Sequence, residues 1–337
     1  MRWGIAAVLV AAMIAFGAGV YFAAGAFRAN HHSVHKPSDV TAPALPGTLY
    51  VVQSGAIYRF QKGSFKAVTA ESGWMQPAAA PDNKLVAVRR QSNFSDMYLL
   101  SRSGQQLSQL SHNSSSRAVE DNHWIFYPRF SPDGGSLFYV FDPKEAFNSF
   151  RVDLAIFVSP IGTGRATSEW TSPNAYTGGD VQPVPMRDGS LIYTKYSIDD
   201  SYQVHSQIWY QRRAGSPGTA LTTPEQGCYS PAVSPDEKLV AMVCTKGSNT
   251  TAELEVASFD SAGLTLGSPA TVVTGRLVAS PAFSPDGKTI AFLAPDTPGG
   301  HFQLWTVGSS GPASVKQITK DLALESTSAP VWVAGQP

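Results

Sequence analysis

The chain has 337 residues, with 25 Lys and Arg balanced by 25 Asp and Glu, so its formal net charge is zero. A nucleic-acid binder needs an excess of basic side chains to displace phosphate counterions, and that class is set aside. Apolar residues make up 43% and charged ones 15%, which excludes a charged disordered polymer and allows a sizeable core. The 29 glycines and 24 prolines favour many short strands over long helices, and the two cysteines exclude a disulfide-rich mini-domain and a four-thiolate zinc site.

The first element is an uncharged, mostly apolar run from Trp3 to Phe27. It is long enough to cross a bilayer as a helix, and longer than the apolar core of most secretory signals. We read residues 1–27 as a transmembrane anchor; a signal sequence cleaved after Ala24-Gly25-Ala26 is the alternative. Arg2 precedes the run while Arg28 and Lys36 follow it, so flanking charge leaves the orientation open. Residues 28–46 read as a polar linker, and its His31, His32 and His35 are taken as solvated rather than metal-binding.

Three strand-like runs follow, Leu49 to Val52, Ile57 to Phe60 and Phe65 to Thr69. Beyond them one unit recurs: Pro-x-apolar-Ser-Pro-Asp-Gly and then a short apolar run. Its clearest copies are Pro128 to Gly134 and Pro281 to Gly287, with Pro231 to Glu237 close behind. Pro77 to Asn83 and Pro183 to Gly189 are weaker copies, and Pro330-Val331-Trp332 is a final fragment. The leading prolines stand 51, 55, 48, 50 and 49 residues apart. A period near 50 residues matches a blade of a β-propeller, a four-stranded antiparallel sheet. Pro-Asp-Gly is turn chemistry, and the runs behind it, such as Leu137 to Phe141 and Ile290 to Leu293, suit strands covered on both faces. The first segment lacks the repeated unit and the last copy holds only its opening. One blade is therefore expected to take three strands from the start of the chain and one from its end. The expected fold is all-β, a six-bladed propeller over residues 47–337 with 3+1 closure.

With their following Ile-Ala-Phe and Leu-Trp runs, the Ser-Pro-Asp-Gly units resemble the repeats of TolB-type six-bladed propellers, a likeness that covers residues 47–337. The resemblance implies an extracytoplasmic address and a propeller that binds a protein or other ligand. TolB proteins are periplasmic and carry a separate α/β domain ahead of the propeller. Here only the short linker stands in that place, so that domain's partner contacts are not carried over.

Cys228 and Cys244 flank one hairpin. A three-residue turn at Pro235 to Glu237 would set Ser234 opposite Lys238 and, counting outward, the two cysteines opposite each other. Directly opposed residues on antiparallel strands approach closely, and an exported protein oxidises its thiols, so a cross-strand disulfide is expected. Two buried thiols are the alternative.

No Gly-x-Ser-x-Gly pentapeptide, Cys-x-x-Cys pair, calcium loop or phosphate loop occurs, the one His-x-x-x-His spacing, His31 to His35, falls in the polar linker, and no cofactor or metal is expected. The repeated aspartates are assigned to turns. The remaining candidate is a binding face made by the loops between second and third strands together with the loops that join blades. Its candidate residues are Trp74, His123, Trp124, Tyr127, Phe150, Arg151, Tyr176, Asp180, Tyr196, Asp199, Asp200, Tyr202 and His205. Aromatic rings with a few charges, on loops over a rigid scaffold, suit a protein partner or an envelope ligand; rings that merely cap the core are the plain alternative. The expected function is a membrane-tethered, non-catalytic binding or scaffold module with its propeller outside the cytoplasm. The rival expectations are a glycan hydrolase or lyase using carboxylates at the channel mouth, and the sensing part of an envelope signalling complex.

Overall fold

The computed structural model describes residues 34–82, 84–143, 153–161, 167–174, 177–248, 250–311 and 315–335. The expected anchor at residues 1–27, with Phe150, Arg151 and Tyr176, lies outside them. Among the described residues no helix is long and apolar enough to cross a membrane.

The described chain is all-β, with three short 3-10 turns, and forms six sheets. Blade 1 has the strand order Val331–Val333, Thr48–Gln53, Ala56–Gln61, Ser64–Ala67. Its first two strands are antiparallel, pairing Thr48 with Val333, Leu49 with Trp332 and Tyr50 with Val331. Blade 2 runs Trp74–Ala79, Leu85–Arg90, Ser95–Leu100, Gln106–Gln109, and blade 3 Ile125–Phe130, Ser136–Phe141, Ala155–Pro160, Ser168–Glu169. Blade 4 runs Asp180–Pro185, Leu191–Ile198, Val204–Gln211, Thr219–Ala220. Blade 6 is Ala279–Phe283, Thr289–Pro295, Phe302–Gly308, Lys316–Gln317.

Blade 5 departs from the four-strand pattern. Behind Cys228–Val233 and Leu239–Cys244, the long strand Ala252–Asp260 pairs at one end with Thr265–Leu266 and along the rest with Ala270–Arg276. The extra strand buries Val272 and Val273 against the same core as Leu254 and Val256.

The first strand of each blade touches the first strand of the next, from blade 1 round to blade 6 and back to blade 1. These six strands therefore ring a central channel. The core is a set of layers between blades, such as Val86, Val88, Ile125 and Tyr139 between blades 2 and 3, and Met186, Ile208, Val240 and Met242 between blades 4 and 5. Strands sandwiched in this way are apolar on both sides, which is why the sequence shows continuous runs rather than alternation.

The repeated Ser-Pro-Asp forms the turn between first and second strands. In blade 3 the Ser131 hydroxyl donates to Asp133 Oδ1 at 2.6 Å and accepts from the Ser136 amide at 2.9 Å, while the Gly135 amide reaches Asp133 at 2.9 Å. Ser234 and Asp236, and Ser284 and Asp286, repeat the arrangement. The serine hydroxyls, then the backbone amides, hold the carboxyls of Asp133, Asp236 and Asp286 below their usual range. These aspartates are thus spent on turns. Where Gly134 and Gly287 take positive φ, blade 5 has Glu237 at φ 60°, a left-handed conformation that costs about 1–2 kcal/mol without glycine.

Cys228 and Cys244 form a disulfide. The route to that pairing differs from the expected one. Beside the turn, Val233 faces Val240, one residue out from a register in which Ser234 faces Lys238. A bulge between Tyr229 and Ala232 then shifts the register back, and Cys228 meets Cys244. Removing the bridge by a Cys228→Ala/Cys244→Ala double substitution is expected to cost about 3 kcal/mol, the chain-entropy value for a loop of this length. Urea unfolding of the oxidised protein and the double variant checks it.

Residues 34–46, expected as a free linker, lie against blade 1. The His35 amide donates to Asp321 O at 2.8 Å and the Ala42 amide to Gly63 O at 2.9 Å, and Ala42, Val40 and Leu45 pack on the core cluster of Leu49 and Phe60. Their apolar side chains have a hydrophobic surface to cover, which a solvated tether lacks.

Candidate functional site

The expected binding residues separate into three groups. Trp74 and Asp180 are buried. The Trp74 ring packs edge-on against Tyr98 at 5.4 Å, with the Arg89 guanidinium 5.6 Å from its centroid. Asp180 opens the first strand of blade 4, where its carboxylate, 0% exposed, meets Lys195 Nζ at 3.0 and 3.3 Å. Both side chains are consumed by packing and an internal ion pair and present no open surface.

The second group sits on the face opposite the Ser-Pro-Asp turns. His123 stacks on Phe141 at 4.9 Å, and its Nδ1 lies 3.0 Å from Asp142 Oδ1. Trp124 stacks on Phe126 at 5.9 Å beneath Arg90, whose guanidinium is 5.7 Å from the ring centroid. The second-to-third-strand hairpin of blade 4 stands on the same face. Asp199 shapes its tip: Oδ1 accepts the amides of Ser201 at 2.8 Å and Gln203 at 2.9 Å, and Oδ2 lies 2.8 Å from His205 Nε2. The bond from His205, then the Gln203 amide, holds the Asp199 carboxyl below its usual range. Asp200 is exposed beside it, while Tyr202 is 83% exposed and Val204 50%. Tyr202 also takes φ 59°, so an exposed ring is held in a conformation that favours glycine.

The third group packs against the core cluster shared by blades 3 and 4. Tyr127 and Tyr196 are half-buried, and burial pushes both phenols well above their usual value; Tyr127 and Tyr229 add to the shift of Tyr196.

One set of residues escaped the sequence reading. In five blades the residue before the leading proline has positive φ: Gln76, Tyr127, Gln182, Ser230 and Ser280, between 49° and 56°. Each lies in the bulge of its blade's first strand. The bulge turns backbone donors toward the preceding blade. The Gln76 amide reaches Ser328 Oγ at 3.1 Å, the Tyr127 amide Gln76 Oε1 at 2.7 Å, and the Ser230 amide Gln182 Oε1 at 2.9 Å. Around the channel, inner strands are thus latched by side chains of their neighbours, each bond worth about 1 kcal/mol net against the left-handed strain. The signal was present one position ahead of each repeat, where a polar residue or tyrosine precedes proline in all five.

The turn-bearing face holds a feature the sequence did not point to. Between blades 3 and 4 lies a cleft of about 630 Å³, lined by Ser131, Asp133, Phe138, Trp170, Met186 and Arg187 among others. Among the described residues, the one cluster with metal-ligand character is Cys228, Cys244 and Glu255, and its sulfurs are joined in the disulfide.

Six bladed sheets around a channel, with Ser-Pro-Asp turns on one face, define a β-propeller of the TolB type. Comparison with solved structures agrees. The fold superposes on TolB from Acinetobacter baumannii with a TM-score of 0.63 and 17% identity, covering 89% of this chain and 68% of that one. A TolB-type protein of Agrobacterium tumefaciens matches with a TM-score of 0.59 and 15% identity, over 85% of this chain and 94% of its own. A puromycin-hydrolyzing peptidase of Mycobacterium tuberculosis has a TM-score of 0.50 and 14% identity, over 86% of this chain and 48% of that one. At these identities the likeness is one of fold. No family model and no curated protein matches the chain in sequence.

Proposed function

We propose that the protein is a non-catalytic binding module, a propeller held outside the cytoplasm by the apolar run Trp3 to Phe27, which docks a protein partner on the face carrying the blade 4 hairpin. The observation that carries this reading is the hairpin tip, where Tyr202 and Val204 stand in solvent above a stiffened Asp199 turn. A large ring on a rigid support, rimmed by charge, is a good anchor for a partner's pocket. The disulfide supports an oxidising compartment. The non-catalytic reading draws support from the carboxylates named at sequence level: Asp180 is neutralised by Lys195, and Asp199 is engaged by two amides and His205.

The test is site-specific photo-crosslinking in intact membranes, with the reactive group at position 202 and, on the opposite face, at position 133. A discrete adduct from 202 alone is expected, and Val204→Ser is expected to cut its yield about fivefold or more, as loss of a hot-spot contact does. Equal labelling from both faces would refute the docking face. Turnover of a cell-wall or plant polysaccharide by the full chain, lost on Asp199→Asn, would instead establish the carbohydrate-active enzyme.

A further inference from the structure

On the face opposite the hairpin the turns of neighbouring blades pack against one another. A Cβ at Gly134 of blade 3 would stand 3.1 Å from Pro81 Cδ in the blade 2 turn, and one at Gly287 of blade 6 would stand 3.4 Å from Pro235 Cδ in the blade 5 turn. Blades 4 and 5 are joined at this level by Arg187, whose amide donates to Glu237 Oε1 at 2.8 Å and whose guanidinium donates to the Pro235 carbonyl. Between blades 3 and 4 the contact is missing. A Cβ at Gly189 would have no atom of the described residues within 4 Å. Gly189 and Pro132, the pair that would touch, both line the cleft of about 630 Å³ instead.

The cleft is apolar over much of its wall. Phe138, Val158, Trp170 and Met186 line it, and the Phe138 and Trp170 rings meet edge-on with centroids 5.0 Å apart. Its charge sets it apart from the other turns. In blades 2, 5 and 6 a lysine follows the turn aspartate two residues on: Lys84 after Asp82, Lys238 after Asp236 and Lys288 after Asp286. Each of these lysines favours the ionised form of its aspartate, and Lys84 Nζ stands 2.5 Å from Asp82 Oδ2. The two turns that flank the cleft have no such lysine: Gly135 follows Asp133 and Ser190 follows Asp188. The Asp133 carboxyl is held below its usual range by the Ser131 hydroxyl and then the Gly135 amide, with no cation taking part. Both of those bonds end on Oδ1. Asp133 thus lines the cleft as an ionised carboxylate whose Oδ2 accepts no hydrogen bond among the described residues. Arg187, the other charged residue of the lining, is turned toward blade 5 by its bonds there.

We infer that the cleft between blades 3 and 4 binds a small organic amine, an ammonium group on an apolar body, with Asp133 as its counter-ion and Phe138, Val158, Trp170 and Met186 around the body. The cleft has the volume of a small-ligand pocket. A bare metal ion would leave its apolar walls unfilled, and an anion would meet a carboxylate that nothing neutralises. An ammonium gains a charge-assisted hydrogen bond from Asp133 and attraction to aromatic faces, and its apolar body leaves water for the walls. The site lies on the other face from the hairpin tip, and either can fail without the other.

Isothermal titration of the full chain tests it, with 2-phenylethylamine, 2-phenylethanol and phenylacetate as probes and every variant titrated in the same medium as wild type. Saturable binding of the amine below about 10 mM is expected, as suits so small a ligand. The alcohol is expected to bind at least about tenfold more weakly, because the charge-assisted bond is lost, and phenylacetate more weakly still. Asp133→Asn keeps an acceptor oxygen for the turn and removes the charge, and an about tenfold loss of amine affinity is expected. Gly135→Lys gives Asp133 the lysine that its counterparts in blades 2, 5 and 6 possess, at a position where a Cβ would stand 3.4 Å from Asp133 Oδ1, an ordinary contact. It is informative even if Asp133→Asn folds poorly, and an about threefold or greater loss is expected. Ser168→Trp, at an exposed strand position on the cleft wall, is expected to fill the cleft and abolish binding while the protein melts like wild type. Absence of saturable amine binding, equal binding of amine and alcohol, preference for phenylacetate, or amine affinity unchanged in these variants would each overturn the assignment. Photo-crosslinking from position 202 would be unaffected by that result.

Discussion

Lys195→Met is expected to destabilise the protein by about 3–5 kcal/mol at neutral pH, the usual cost of stranding one partner of a buried ion pair. Asp180 is 0% exposed and Lys195 8%, and the ammonium also donates to Ser172 O at 3.2 Å and lies 5.5 Å from the Trp209 ring centroid. Burial raises the Asp180 carboxyl above its ordinary value even with Lys195 in place, the lysine opposing that shift and Asp153 adding to it. A carboxyl raised in the folded state burdens stability only above its unfolded value, and the burden grows as pH rises from the unfolded toward the folded value and levels off above it. Without Lys195 the folded value rises further. The loss in Lys195→Met is therefore expected to be largest near neutrality and to shrink toward pH 4, where Asp180 enters the fold as a neutral acid. Urea unfolding of wild type and variant at both pH values measures it. A loss that stayed constant with pH would mean that packing of the lysine stem, rather than charge, dominates. An Asp180→Leu/Lys195→Met double variant is expected to recover much of the stability, because neither charge is then buried alone.

Trp332→Ala is expected to cost about 3–5 kcal/mol, the range for truncating a large buried ring. Trp332 is 9% exposed, packs in the cluster of Leu49, Phe60 and Leu304, and donates its indole N–H to Pro46 O at 2.7 Å. It also faces Leu49 across the pairing of the last described strand with Thr48–Gln53. Ending the chain at Pro330 has a larger expected effect. It removes the innermost strand of blade 1 and bares the ladder edge of Thr48–Gln53, an invitation to intermolecular pairing. Soluble, monomeric, cooperatively melting protein is expected from wild type. The truncated chain is expected to run as aggregates by size exclusion. A truncated chain that melts like wild type would show that blade 1 holds without its terminal strand.

The cysteines show how far local counting reaches. The sequence-level register assumed that Ser234 faces Lys238, which is not so, yet Cys228 does meet Cys244. Two one-residue shifts, one at the turn and one at the bulge, cancel. Turn chemistry can be read from Ser-Pro-Asp, because each of its hydrogen bonds closes within six residues. The bulge cannot be read in the same way. Its left-handed residue is sustained by a side chain from the preceding blade, as Gln182 sustains Ser230, 48 residues away. In blade 5 the extra strand Ala270–Arg276 escaped for a related reason: it carries no repeated unit, and only its pairing with Ala252–Asp260 marks it.

The candidate site was less legible. Tyr202, Asp199 and His205 fall on one hairpin and were found together because they are close in sequence. Trp74 and Asp180 were selected by the same composition rule, yet both are buried. A ring or carboxylate in a loop between blades has two possible surroundings, solvent or the neighbouring sheet, and only the docking of that sheet chooses between them.

The sequence by itself determined the repeat, the number of blades, the turn chemistry and the partnership of the two cysteines. These rest on contacts between residues close in the chain or on a period written into it. The tertiary structure alone decided the inter-blade latches and the burial of Asp180 with Lys195. The latches depend on which groups the packing of neighbouring blades brings together, whereas Asp180 and Lys195 face each other within one hairpin and it is the sheets packed around them that take the pair out of water.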